Sequence, residues 1–313
     1  MNQYVFGVDV GGTNIKLGIF ELPNVKLVKL TNFPTPNEHQ DTAIFDAIVL
    51  NMQKVCEELG TTFDHVKGVG LAIPCPVIGG CVDICANVGL NDLNIEESMK
   101  LRLPKHMKVA VGNDASLAAF GENKELKTPY ENAVFYTLGT GVGGGLIING
   151  KLIEGKNGAA SEFGHMKVFD GFEGEVCGCG KNGCLEQIAG TKGIFRLMKQ
   201  YSILEKTVVD LNDLTVKRIF DAAKMGDGPA LKTVNRVANV IGESAANIAM
   251  IVDPEVFIIG GGIAASGKFL LDKIIESYQK NARYKTISTP IVLASLGNKA
   301  GAFGAAHLVK DSL

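Results

Sequence analysis

One histidine and three cysteines crowd a short stretch of the chain: His165, then Cys177, Cys179 and Cys184 among glycines. Thiolates and a neutral imidazole are the ligands that suit tetrahedral zinc. Gly178, Gly180 and Gly183 let the backbone curl tightly enough to aim three sulfurs at one point. Four protein ligands leave no position for a water, so the ion expected here is a structural zinc that shapes the segment and does no chemistry itself. A disulfide, or free thiols in a loop, are the competing readings. Two glutamates frame the set, Glu162 just before the histidine and Glu186 just after the last cysteine. Alone they are solvated loop charges. Beside a metal-stiffened turn they become carboxylates that can accept hydrogen bonds from vicinal hydroxyls. His165 can hold zinc through one ring nitrogen and offer the other to a hydroxyl, the metal fixing its tautomer.

A second group of residues suits anions. Three glycine turns, at 11–13, 139–145 and 260–262, each follow an apolar stretch. Backbone N–H groups in such turns approach a phosphate closely because no Cβ intervenes, and Thr13 and Thr140 add hydroxyl donors. Neither a G-x-x-x-x-G-K-[ST] string nor a G-x-G-x-x-G opening a long helix is present, which argues against P-loop and Rossmann modes. Asp114 follows a third kind of strand end, Gly112-Asn113-Asp114. It is either the N-cap of the next helix or a fixed carboxylate able to accept a proton. Lys16, close to the first turn, reads as a solvated strand-edge lysine. Cys56 lies on an apolar helix face and reads as core. Cys81 and Cys85 read as free thiols. His39, His65, His106 and His307 have no ligand spacing and read as surface or helix-end residues.

The chain that must position these groups has 313 residues, 46% of them hydrophobic, enough for one large domain or two modest ones. A net charge of −2 gives no basic field for nucleic acid or an anionic membrane. No apolar run reaches the ~18 residues a membrane helix needs. The first residues run straight into a strand, leaving no room for a secretory leader, and a reducing cytoplasm is the expected home.

Apolar stretches at 4–10, 15–20 and 25–31 predict a β-meander, and helical spacing predicts a helix over 42–59. Strands are expected at 66–73 and 107–111, with an irregular segment over 75–94 and a helix opening after Asp114. A second cycle starts at residue 133: strand, glycine turn, strand, with Gly139-Thr140-Gly141 standing where Gly11-Gly12-Thr13 stood. The pair suggests an internal duplication of β-hairpins. Helices follow at 192–203, 215–225, 229–252, 267–280 and 299–310, with strands at 256–259 and 290–294. Alternating strands and helices make the class α/β. The expected division is residues 1–115 plus about 297–313 as a smaller domain, and about 116–296 as a larger one carrying the cysteine segment.

Taken together, GVDVGGTNIKLGIF, GNDASLAAFGE, TLGTGVGGGLIINGKLIEG, GAASEFGH with CGCGKNGCLE, and VFIIGGGIAAS resemble the ROK family of sugar kinases and related repressors, over residues 4–307. The glucokinase branch is the nearest. The resemblance implies a two-domain actin-like, hexokinase-like (ribonuclease H-like) fold with sugar and ATP in an interdomain cleft. It places the family's phosphate turns on Asp9, Gly11, Gly12 and Thr13 and on Gly139, Thr140 and Gly141, and its adenosine turn on Gly260, Gly261 and Gly262. Asp9 would hold the Mg²⁺ that accompanies ATP, and Asp114 would be the catalytic base. Asn87, Asn113, Glu162, His165 and Glu186 would be sugar contacts. A homodimer is implied in the same way.

Two positions depart from the family pattern: Cys75 replaces a usual glycine between two prolines, and Leu90 stands where glucokinases often carry tryptophan. Both bear on which sugar is taken. The reading that follows is an ATP-dependent kinase acting on the 6-hydroxyl of glucose. Fructose, mannose, allose or an N-acetylated hexosamine are the alternative sugars. A sugar-responsive regulator is the alternative class, disfavoured because only three residues precede the first strand and no basic helix-turn-helix is evident.

Overall fold

The computed structural model describes residues 2–85, 87–172 and 175–313. In chain order the strands and helices are β1 (Tyr4–Val10), β2 (Asn14–Glu21), β3 (Lys26–Pro34), α1 (Gln40–Glu58), β4 (Val66–Ile73), β5 (Cys81–Cys85), β6 (Leu90–Asn94), α2 (Ile95–Lys100), β7 (Lys108–Asn113) and α3 (Asp114–Lys124). There follow β8 (Ala133–Leu138), β9 (Val142–Ile148), β10 (Lys151–Leu152), α4 (Glu186–Ala189), α5 (Thr191–Tyr201), α6 (Val216–Lys224), α7 (Gly228–Val252), β11 (Val256–Gly260), α8 (Lys268–Asn281), β12 (Ile291–Leu293) and α9 (Ala300–Asp311).

These elements form two compact units. The first comprises Met1–Pro129, Leu152–Ala160 and Asn298–Leu313, the second Tyr130–Lys151 and Ser161–Gly297. The sequence reading sets its seam after residue 115, whereas the first unit runs on to Pro129. The reason is packing: α3 lies against α9, so it stays with the sheet that α9 covers.

The first sheet has the strand order β3-β2-β1-β4-β7, the second β10-β9-β8-β11-β12. Each begins as an antiparallel hairpin, β1 with β2 and β8 with β9. Each then grows by parallel strands, β4 and β7 in one case and β11 and β12 in the other. The duplication suggested by two glycine turns therefore extends to whole sheets. Between β4 and α2, by contrast, the expected irregular segment contains an antiparallel pair, β5 with β6. Its strands are five residues each and the exposed residues Asp83, Ile84 and Asn91 interrupt any clean alternation, so no period-2 signal marks them.

In the first unit α1 buries Ile44, Phe45, Ile48, Met52, Val55 and Cys56, the 3.6-residue stripe visible in the sequence. It packs in one apolar cluster with Phe6, Val8, Ile15, Leu17 and Val69 of the sheet. On α9 the sheet meets backbone directly. A Cβ on Gly7 would lie 2.0 Å from the Ala302 carbonyl oxygen, and one on Gly70 1.9 Å from that of Ala305. The same holds one layer out, where a Cβ on Gly304 would fall 1.7 Å from the Leu117 carbonyl of α3. In the second unit the long α7 is buried along most of its length against α5, α6 and α8. Among the described residues no helix is long and apolar enough to cross a membrane.

Seating α9 without side-chain spacers has a measurable consequence. Gly304→Ala should cost about 1–3 kcal/mol of stability, the usual penalty for overpacking, read as a lower urea midpoint. An unchanged midpoint would refute the close approach.

Candidate active site

Parallel strands deliver the first group of site residues to one edge of the first sheet. Asp9 of β1 pairs with Ala72 of β4, Ala72 with Gly112 of β7, and Ile73 with Asn113. Asp9, the exit of β4 and the pair Asn113-Asp114 therefore leave the sheet on the same side, spread over two strand spacings, about 10 Å. The carboxyl ends of parallel strands are where open α/β sheets bind ligands.

At this edge the turn after β1 is closed by Gly11 N donating to Asn14 O at 3.1 Å, and is held from the other side by the Thr35 hydroxyl donating to Gly11 O at 2.6 Å. Gly12 and Thr13 are exposed. A Cβ on Gly12 would sit 2.9 Å from the carbonyl oxygen of Asn87, so glycine there lets the Asn87 turn close onto the Gly11–Thr13 turn. Lys16 is not a bare solvated lysine: its Nζ lies 2.8 Å from Asp9 Oδ2, across the β1–β2 register pair. Sequence reading missed this contact, although cross-strand pairing opposite Asp9 follows from the length of the hairpin turn.

Asp114 is not the N-cap of α3. That role belongs to Asn113, whose Oδ1 accepts from Ser116 N at 3.1 Å while its Nδ2 donates to Cys75 O at 3.1 Å. Asp114 is the first helical residue, its Oδ1 accepting from Ala115 N at 2.7 Å. A helix N-terminus carries partial positive charge, a setting that suits an anionic side chain.

The second group lies wholly in the second unit. The parallel pair β8 and β11 ends together, Gly260 opposite Thr137. Gly261, at φ 84°, comes so close to β8 that a Cβ would lie 2.4 Å from the Leu138 carbonyl oxygen. The turns Gly139–Gly141 and Gly260–Gly262 are thus neighbours. Thr191, opening α5, pins the first of them through its N–H and hydroxyl, both donating to Gly139 O at 3.0 Å.

Glu162 and His165 are placed by β9. A Cβ on Gly144 would lie 2.3 Å from Ser161 O, and one on Gly164 1.8 Å from Val142 O, so the 161–165 turn is laid flat on the strand. Phe163 anchors it against the Tyr136 ring, with centroids 5.5 Å apart. His165 Nδ1 then faces Cys177 Sγ at 3.5 Å, while Nε2 faces Glu162 Oε2 at 3.8 Å. Cys179 and Cys184 sulfurs are 3.6 Å apart, and all four ligand atoms lie within 4.8 Å of one another. Tetrahedral zinc with Zn–S bonds near 2.3 Å requires ligand–ligand edges of about 3.8 Å, so the set fits that ion. Gly180 and Gly183 are left-handed, at φ 80° and 89°, as the tight curl requires; Gly178 is not among the left-handed residues. Gln187 Oε1 clamps the curl by accepting from Gly183 N and Cys184 N at 2.8 and 3.1 Å. Glu186 ties the cluster to the Gly139–Gly141 turn: its Oε1 accepts the Cys177 thiol at 2.9 Å, and its Oε2 would touch a Cβ on Gly141 at 2.5 Å.

Burial pushes the Cys177 and Cys184 thiols up. Cys179 moves down: burial works against it, but the Lys181 N–H and the two neighbouring thiols outweigh the burial.

Two further expectations change. Cys85 is not a free thiol but is disulfide-bonded to Cys75. His307 is not a surface residue; it is buried in α9 and its Nε2 lies 2.7 Å from Glu125 Oε1. Leu90 is fully buried in the first core.

Against known families, residues 5–312 match the ROK family model. The chain belongs to the ROK family. A glucokinase of Halalkalibacterium halodurans is 33% identical over 99% of this chain and 96% of its own length. Among solved structures, a ROK family glucokinase from Streptomyces griseus in complex with glucose and AMPPNP is 30% identical, covers 98% of this chain and 99% of that one, and superposes with a TM-score of 0.78. The ROK hexokinase from Thermus thermophilus reaches 0.82 at 27% identity, covering 98% and 97% of the two chains. The fold is accordingly the two-domain α/β, actin-like arrangement expected from the sequence, and the ROK motifs fall on the strand ends and turns just described.

The cap assignment separates Asn113 from its neighbour. Asn113→Ala should lower stability by about 1 kcal/mol, the usual cost of losing an N-cap. A urea midpoint equal to that of the parent protein would remove Asn113 from that role.

Proposed function

We propose that this ROK protein is an ATP-dependent kinase for the 6-hydroxyl of glucose. The observation that carries the reading is the full set of strand-end and turn residues on a chain similar throughout to a glucokinase described with glucose and AMPPNP. Phosphoryl transfer needs little covalent help from protein; it needs placement, charge neutralisation and an acceptor for the attacking hydroxyl's proton.

Each residue has a part in this scheme. Asp114, fixed at the start of α3, accepts the 6-hydroxyl proton. Asn113 keeps one amide hydrogen beyond its bond to Cys75 and offers it to a sugar hydroxyl; Asn87 offers a second amide. Glu162, His165 Nε2 and Glu186 take further sugar hydroxyls. Gly11, Gly12, Thr13, Gly139, Thr140 and Gly141 present N–H and hydroxyl donors to phosphates, and Gly260–Gly262 back the nucleoside. Asp9 would hold Mg²⁺, which takes carboxylate and phosphate oxygens and neutralises developing charge. Lys16, already paired with Asp9, adds a second positive charge at that turn.

His165, Cys177, Cys179 and Cys184 would hold zinc, which supplies rigidity only. Zinc takes thiolates, so a loaded cluster would lack the Cys177 S–H that now occupies Glu186, leaving that carboxylate to a sugar. A reducing cytoplasm, expected from the sequence, and a homodimer, implied by the family resemblance alone, complete the proposal.

Asp114→Ala should lower kcat by about 10²–10⁴, the range for losing a general base, while glucose still binds in a calorimeter. Undiminished turnover would end the base assignment. A coupled assay with glucose, fructose, mannose, allose and N-acetylglucosamine decides the sugar, and preference for any but glucose would displace this reading. For the metal, Cys179→Ser should abolish zinc retention, full occupancy by elemental analysis being the contrary result. Two raised thiols must lose protons to bind the ion, so zinc affinity should fall as pH drops from about 8 to about 6. Competition against a chromophoric chelator reads this directly, and a flat profile would contradict it.

A further inference from the structure

Cys75 lies between Pro74 and Pro76, just past the end of β4, and is bonded to Cys85, the last residue of β5, ten positions further on. Neither half of this bridge belongs to the machinery described above, yet Cys75 touches it and Cys85 lies two positions before it. The Cys75 carbonyl oxygen receives the Asn113 amide at 3.1 Å. Two residues beyond Cys85 stands Asn87, whose own carbonyl oxygen is what a Cβ on Gly12 would meet at 2.9 Å. One covalent tie therefore joins the loop that orients Asn113 to the strand that leads into the Asn87 turn.

Other contacts would keep the segment folded without the tie. β5 and β6 remain paired, Ile78 and Cys81 exchange backbone hydrogen bonds at 2.9 and 3.0 Å, and Val88 N still donates to Cys85 O at 3.1 Å. What the bridge adds is a fixed distance between the exit of β4 and the end of β5. Opening it returns conformational freedom to the closed loop without removing its ladder.

We propose that Cys75–Cys85 is a site of thiol–disulfide exchange whose state sets the affinity for sugar: bridged, it holds Asn87 and Asn113 at one spacing, and opened by a dithiol it lets them drift. This rests on the sugar-kinase reading of the same residues. Cys75 is 6% exposed and Cys85 fully buried, so attack falls on Cys75. A thiolate of the dithiol bonds to the Cys75 sulfur, the S–S bond breaks, and its electron pair leaves on Cys85, which takes a proton. The second sulfur of the dithiol then attacks the mixed disulfide, releasing Cys75 as a thiol and leaving the dithiol as its own disulfide. Two electrons and two protons pass to the protein. In reducing compartments a bridge is rarely a permanent strut, and those that occur are commonly redox-responsive.

The test starts with enzyme isolated without reductant. Alkylation followed by peptide mass analysis should leave Cys75 and Cys85 unlabelled until dithiothreitol is added, and labelling of both beforehand would overturn the proposal. Dithiothreitol should raise KM for glucose about tenfold, equal to the loss of about 1.4 kcal/mol of preorganisation, with kcat and KM for ATP nearly unchanged. Far-UV circular dichroism should show no unfolding. The double variant Cys75→Ser with Cys85→Ser should have the raised KM throughout and no response to dithiothreitol. A response that persists in it would assign the effect to Cys177, Cys179 and Cys184 instead and sink the idea, as would one KM in both states of the parent enzyme. Should the double variant fail to fold, the parent enzyme before and after reduction still decides. If bridged enzyme phosphorylates no sugar, the functional reading fails by itself, and glucose binding by calorimetry in the two redox states judges the bridge separately.

Discussion

The contact on which the first unit depends is one between backbones. Where α9 crosses β1 and β4, glycines on the strands remove the Cβ layer that normally separates a helix from a sheet. Carbonyl oxygens of the helix then approach strand Cα atoms closely, a fit that admits little adjustment because both partners are main chain. The same helix passes Asp9: a Cβ on Gly301 would lie 2.9 Å from its carboxyl carbon. Depth of seating and position of the Asp9 carboxylate are therefore one variable. Through α3, packed on the other flank of α9, that variable extends to Asn113 and Asp114.

In the second unit the comparable constraint is the cluster of His165 with three cysteines. Its ligands come from two segments that are otherwise poor in regular structure, the 161–165 turn and the 177–184 curl. Each is separately pinned, the first to the glycine face of β9 and the second by Gln187. A shared ion would convert two supported loops into one rigid object, and Glu186 then relates that object to the turn at Gly141. Rigidity is needed where carboxylates must meet hydroxyls with fixed spacing, since a loosely held polar contact discriminates poorly between sugars.

Much of this is legible in the sequence, and the reasons differ by feature. The α1 stripe and the β4 run were readable because burial on one face or on both imposes a simple periodicity. The clustering of His165 with Cys177, Cys179 and Cys184 is readable because metal-ligand chemistry restricts residue type and spacing. Two matching glycine-threonine turns hinted at duplication, though only pairing revealed that whole sheets repeat. Contacts that depend on register or on the fold closing were hidden. Lys16 opposite Asp9 needed the hairpin register, and the Cys75–Cys85 bond needed a β5–β6 pair too short to announce itself. Asn113 and Asp114 are adjacent acceptors, either of which can cap a helix, and sequence alone does not say which one turns inward. Burial of His307 is hidden because one histidine in an alanine-rich helix gives no sign of the Glu125 carboxylate beside it.

The helix that covers the first sheet is made after the second unit. A ribosome that has released everything up to Gly297 has emitted the complete second unit, yet the nascent chain still carries a first sheet with one glycine-lined face open to water. That face closes only when residues 300–311 emerge and return across nearly the whole length of the polypeptide. The first sheet is thus finished by a segment made after the whole second unit, and the nascent chain must keep an unfinished sheet from other partners until residues 300–311 arrive.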